Sequence, residues 1–228
     1  MLFKISAYLR FLIGSHNQYG IHSPFVYDFI TKCLYNRATK SEFQRLQNYL
    51  TERYLLENLT LSTEQTKLLI QIIGYFNPDW LLNFSREKGF IAKALSLNNK
   101  QEVFQIDGYC TSKTDAPNLI KTGYDEFLSV SEEYHRTFLS LHKKPFCLVF
   151  LNENHLQKGL KECLETTLGA FSTRSIFIIK GVHNSKEKEA LWEKIKTIDQ
   201  VSVTVDLFFW GIIFLRKGQA KQHFKIRV

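Results

Sequence analysis

Three of the chain's seven histidines stand where a proton could be moved: His155 and His183 each follow an apolar, β-like run, and His22 lies in the phrase GIHSPF. In a parallel sheet the carboxyl ends of the strands are where ligands bind, and an imidazole titrates closest to neutral pH, so each of the three is a candidate general base. The other reading of each is a histidine that hydrogen-bonds or caps a loop. A second candidate position is the stretch WLLNFSREKGFIAKALSL, Trp80 to Leu97, an apolar run, a polar turn and a helix-like segment. A turn that cradles a nucleotide-like ligand brings several backbone N–H groups close to it and so favours several glycines, whereas this one has only Gly89. Asp107 and Gly108 form an Asp-Gly pair after another apolar run, readable as a ligand-facing acid or as an ordinary turn. Cys33, Cys110, Cys147 and Cys163 are scattered, with no paired spacing for a metal and no disulfide framework.

The elements that would position these residues fall into two regimes. Up to Pro78 the periodicity is helical. An amphipathic helix is expected in MLFKISAYLRFLIGS, which Lys4 and Arg10 make too charged to span a bilayer and which lacks the pattern of a signal peptide. Ser23-Pro24 starts a helix whose apolar face is Phe25, Val26, Phe29, Ile30, Cys33 and Leu34; a second runs from Ser41 through Tyr54; a third has a capping box in Ser62 and Gln65 and a stop at Gly74. From Trp80 onward β-like runs at Trp80–Phe84, Val103–Ile106, Phe127–Val130, Cys147–Leu151 and Ser175–Ile179 alternate with stretches long enough for helices, as βα repeats do. Val201–Leu207 and Gly211–Arg216 are too close for a parallel crossover and are expected to form an antiparallel hairpin.

This order, with the phrases NQYGIHSPFVYDF, VFLNENH, IIKGVHNSKEKEALW and FFWGIIFLRKGQAKQHFKIRV, resembles a bacterial family of class I S-adenosylmethionine-dependent methyltransferases, most nearly the branch akin to the small-molecule O-methyltransferases. The resemblance covers nearly the whole chain. It implies an α/β fold, a Rossmann-like methyltransferase sandwich with a mostly parallel seven-stranded sheet ending in an antiparallel hairpin. Residues 1–78 would be an N-terminal helical extension packed on the main domain, 79–228.

The resemblance also implies site roles. The family's glycine-rich loop falls on Asn83 to Gly89, with Asn83 in place of an acid and Ser85 in place of a glycine; Asp107 matches the acid that holds the cofactor's ribose hydroxyls. Relatives with a metal-assisted mechanism carry carboxylates after the fourth and fifth strands, where this chain has Asn152 and Lys180-Gly181. Mg²⁺ needs hard oxygen ligands, so no divalent metal is expected, and Lys180 either fixes a cation where the metal would sit or is a relic. The candidate set is therefore His22, His155, His183 and Lys180 for catalysis, and Asn83, Ser85, Gly89, Asp107 and Asn152 for S-adenosylmethionine, with binding weak or lost. An active metal-independent methyltransferase on a small molecule and a non-catalytic binding or scaffold protein are the other readings. His22 and its phrase are expected either to form a lid over the carboxyl ends of the strands or to act as a domain clasp.

The 228 residues, 44% hydrophobic and 23% charged, suit a soluble globular chain able to bury a large core. The formal charge of +8 permits an anionic partner. Arg216, Lys217, Lys221, Lys225 and Arg227 gather around Phe224, which reads as a solvated terminal face before it reads as a nucleic-acid site. A cytoplasmic location, a small-molecule ligand and no membrane partner are expected.

Overall fold

The computed structural model describes residues 2–36, 61–84, 102–107, 118–122, 146–151 and 171–228. Helix α1 spans Leu2–Gly14, and α2 spans Pro24–Phe29 and runs on through one π turn, Ile30–Leu34. Helix α3 is Thr63–Phe76. Strands β1 (Trp80–Phe84), β2 (Glu102–Asp107), β3 (Asn118–Thr122), β4 (Cys147–Leu151) and β5 (Ile176–Lys180) follow, then helix α4 (Lys186–Thr197) and strands β6 (Val203–Asp206), β7 (Trp210–Phe214) and β8 (Gln222–Lys225).

All eight strands join one mixed sheet in the order β3-β2-β1-β4-β5-β7-β6-β8. Within it the order along β2-β1-β4-β5 reverses direction between β1 and β4, a switch point of the kind at which open α/β sheets bind ligands. β1, β2, β4 and β5 are parallel, and β6 and β7 form the expected antiparallel hairpin. Two features depart from a mostly parallel seven-stranded sheet. β3 runs antiparallel to β2, and β8 adds an eighth strand, parallel to β6. The expected third strand, Phe127–Val130, and the expected helix from Ser41 lie outside the described residues.

Alternation along the central strands divides the core. Leu148 and Phe150 of β4, Ile176 and Ile178 of β5, Val203 and Val205 of β6, and Ile212 and Phe214 of β7 face α2 and α3. Cys147, Val149, Phe177, Ile179 and Ile213 face Trp192 and Ile195 of α4. Helices thus cover both faces, which is why β4 and β7 are apolar throughout. Burial pushes the thiol of Cys33 up to about 12 and raises that of Cys147, so both behave as apolar core groups.

Local signals explain several boundaries. Ser62 and Gln65 cap α3 reciprocally: the Gln65 N–H donates to Ser62 Oγ (3.2 Å) and the Ser62 N–H donates to Gln65 Oε1 (3.1 Å). Gly74 does not end this helix. It continues to Phe76, and Asn77 takes the left-handed conformation (φ 45°) that closes it, a role asparagine tolerates. At Gly211 the constraint is proximity, because a Cβ there would stand 2.6 Å from the Trp192 ring. Only glycine lets α4 pack so closely on β7.

Candidate functional site

The register fixes which residues share the carboxyl edge of the sheet. Phe84 of β1 pairs Leu151 of β4, which pairs Ile179 of β5; Asp206 of β6 and Ile179 both pair Gly211 of β7. Asn83, next to last in β1, pairs Gln105, two residues before Asp107 at the end of β2. Asn83, Asp107, Lys180, His183 and Asp206 therefore belong to one edge, the carboxyl edge of the parallel strands, where open α/β sheets bind ligands. Ser85, Gly89, Asn152 and His155 lie outside the described residues.

At the β5–β6 side of this edge the chain builds a charged cluster. After Lys180, which is 8% exposed, Gly181 adopts φ 74° and donates its N–H to the Phe209 carbonyl (2.8 Å), turning the chain so that His183 enters the interior. The His183 ring is held at both nitrogens. Nδ1 lies 2.7 Å from Glu189 Oε1 in the first turn of α4, and Nε2 lies 2.8 Å from Asp206 Oδ2. Asp206, 1% exposed, uses its second oxygen to accept the Phe208 N–H at 2.8 Å. Glu189 extends the chain of charges to α1, where Arg10 Nη2 donates to Oε2 at 3.1 Å. The Phe208 ring stacks on the imidazole, with centroids 5.1 Å apart and planes within 8°, and Phe11 and Tyr8 of α1 close over Phe208 at 5.5 and 4.8 Å. Phe208 holds a left-handed φ of 71°, a strained conformation for a bulky residue, which the stack and its N–H bond to Asp206 offset.

Two carboxylates on one ring favour the imidazolium, which donates an N–H to each. Burial opposes the charge, but the hydrogen bond and attraction from Asp206, followed by those from Glu189, outweigh it and raise the pKa above the ordinary 6.5. A ring charged in this way has no lone pair with which to accept a proton from a substrate. His183 instead ties the β5–α4 loop to β6 and, through Glu189, to α1. The spacing of His183 ahead of Glu189 is visible in the sequence; Asp206 and Arg10 are distant partners that nothing in the local pattern singles out.

His22 is exposed and sits beside residues that reach the other edge. The neighbouring Ser23 accepts a hydrogen bond from Gln219 Nε2 (3.1 Å) instead of capping α2, and Arg216 lies 4.0 Å over the Phe25 ring. Arg216 and Gln219 follow Phe214, which pairs Ile176 at the amino end of β5. At its other end the segment is anchored by the His16–Ile226 bridge, beside the carboxyl end of β8. The NQYGIHSPF phrase thus starts beside the carboxyl end of β8 and has Ser23 and Phe25 against residues of the amino edge, which is the arrangement of the expected clasp; His155, one of the two histidines the expected lid would approach, lies outside the described residues. It is α1 that lies over His183 and Phe208.

The basic C-terminal residues do not form one patch. Lys221 Nζ donates to the last carbonyls of α4, Thr197 and Ile198 (3.3 and 2.9 Å), whereas Lys225 and Arg227 lie at the far end of β8. Arg216, Lys217, Gln219 and Lys221 line an open groove of about 680 Å³ at the amino edge, away from the switch point. Among the described residues no group of His, Cys, Asp and Glu side chains could hold a metal ion, and no helix is long and apolar enough to cross a membrane. No protein-family model matches the chain, and no curated protein matches it either.

Proposed function

We propose that the chain is an S-adenosylmethionine-dependent methyltransferase-like protein of the class I, small-molecule O-methyltransferase type, with cofactor binding and catalysis impaired or lost, residing in the cytoplasm. The observation that carries this reading is the sheet itself, an α/β frame with a β1/β4 switch point and a closing β6–β7 hairpin, whose carboxyl edge presents Asn83 and Asp107 on neighbouring strands. A dinucleotide- or nucleoside-type ligand at such an edge is held by an acid after β2 and by backbone N–H groups after β1. Asp107 supplies the acid. Asn83, standing where the family has a carboxylate, and Ser85, standing where it has a glycine, weaken the other half.

The state of His183 supports the impaired reading, since the histidine of the carboxyl edge whose partners are described is engaged by Glu189 and Asp206. Lys180 stands where the family's metal carboxylates would. Losing one charge-assisted hydrogen bond costs on the order of 1.5–3 kcal/mol, roughly tenfold to a hundredfold in affinity. Calorimetric titration with S-adenosylmethionine tests the proposal. Binding weaker than micromolar, or none, is expected; a micromolar or tighter dissociation constant overturns the impaired reading.

A further inference from the structure

Five of the nine large apolar side chains that stand exposed among the described residues belong to one element, α1: Leu2 (85% exposed), Ile5, Tyr8, Leu9 and Ile13 (88%). At 3.6 residues per turn, Leu2, Ile5, Leu9 and Ile13 fall within an arc of about 80°. That stripe is opposite the side chains that seat the helix, Ala7 and Phe11. An apolar face normally turns inward, and this helix has two, of which the described residues cover one.

The charges around the helix select what covers the other. No Asp or Glu precedes Asp28 in the sequence, while Lys4 and Arg10 lie in α1 itself. At the helix's C-terminal end the Lys225 Nζ comes within 3.8 Å of where a Gly14 Cβ would stand, and exposed Arg227 bonds His16. We propose that α1 is a membrane-surface element, which lays Leu2, Ile5, Leu9 and Ile13 into the headgroup–acyl boundary of an anionic bilayer without crossing it, drawn there by the basic excess of this end of the molecule. A second copy of the chain fits less well. A stable protein interface engages roughly 20–30 residues a side, far more than this stripe offers. A bilayer requires neither a large footprint nor a complementary shape. This assignment departs from the absence of a membrane partner expected from the sequence, and it is independent of the cofactor reading.

Flotation of the full chain with vesicles tests it. The protein is expected to float with phosphatidylcholine vesicles that contain phosphatidylglycerol, to bind pure phosphatidylcholine at least about tenfold less, and to lose binding at about 0.5 M salt, where exposed charges are screened. A Leu9→Glu, Ile13→Glu double variant should lose at least about tenfold in partition with its thermal midpoint unchanged, because both side chains are already in solvent. Wild-type protein that fails to float, or a double variant that floats equally well, overturns the proposal. So does a dimer in light scattering that the double variant splits, which assigns the face to a second copy, or a fall in midpoint, which assigns it to the chain's own residues.

Discussion

The carboxyl edge of the sheet is used differently at its two ends. Beside β5 and β6, every charge of the cluster has a partner: Arg10, Glu189, His183 and Asp206 follow one another at 2.7 to 3.1 Å, and a stacked Phe208 shields the middle of the chain. Beside β1 and β2, the residue matching the family's acid is Asn83, with Asp107 one strand away. At one end charged side chains join a loop, two helices and a strand; at the other, on the proposed reading, an amide stands where a carboxylate would help seat a cofactor. The difference teaches that the groups holding this edge together are not those to which the proposed reading assigns binding, so on that reading the frame can persist without the ligand.

The largest effect expected from breaking the comparison is at His183. Replacing it with glutamine leaves Asp206 buried without its counter-charge, and breaking a buried pair costs about 3–5 kcal/mol. Denaturant unfolding of His183→Gln reads this directly, and a loss under about 1 kcal/mol would show that the cluster is ornamental. The same residue sets a pH dependence. Because its pKa is raised in the folded state, the stabilisation is complete below the unfolded value near 6.5 and is lost as pH rises through the higher folded value. His223, lowered by burial and then by Lys196 and Lys221, runs the other way and loses stability as pH falls below 6.5. The wild-type minus His183→Gln difference isolates the first, and it should shrink as pH rises above neutrality. A difference flat from pH 5 to about 9 contradicts the assignment.

Next in size is Gly211→Ala. The added methyl group would meet the Trp192 ring at 2.6 Å, so α4 must move off β7, at a cost of about 1–3 kcal/mol. Arg10→Ala should cost least, under about 1 kcal/mol, because its ion pair with Glu189 is half in solvent on the arginine side. A larger loss would mean that α1 is held by its charge more than by Phe11 and Tyr8.

How much of this was legible in the sequence depended on the range of the interaction that decides each feature. The Ser62–Gln65 capping box, the limits of β4 and the β6–β7 hairpin rest on residues a few positions apart, and they are where the pattern puts them. Asn77 as the closing residue of α3 lost to Gly74 in the sequence because glycine is the commoner left-handed residue, whereas packing carries the helix one turn further. β8 reads as a basic, solvated tail because an edge strand needs only one apolar side and takes its register from β6, which is distant in sequence. In the site, the histidines and the edge residues were visible by type and position. The engagement of His183 was not, since Arg10 and Asp206 reach the cluster from opposite ends of the chain.

The most direct test is to restore the β1 turn. In a calorimetric titration with S-adenosylmethionine, the Asn83→Asp, Ser85→Gly double variant is predicted to bind roughly tenfold to a hundredfold more tightly than wild type, the return of one charge-assisted hydrogen bond and one close backbone approach. Wild-type and restored proteins that bind equally, or a wild type already micromolar, would contradict the account.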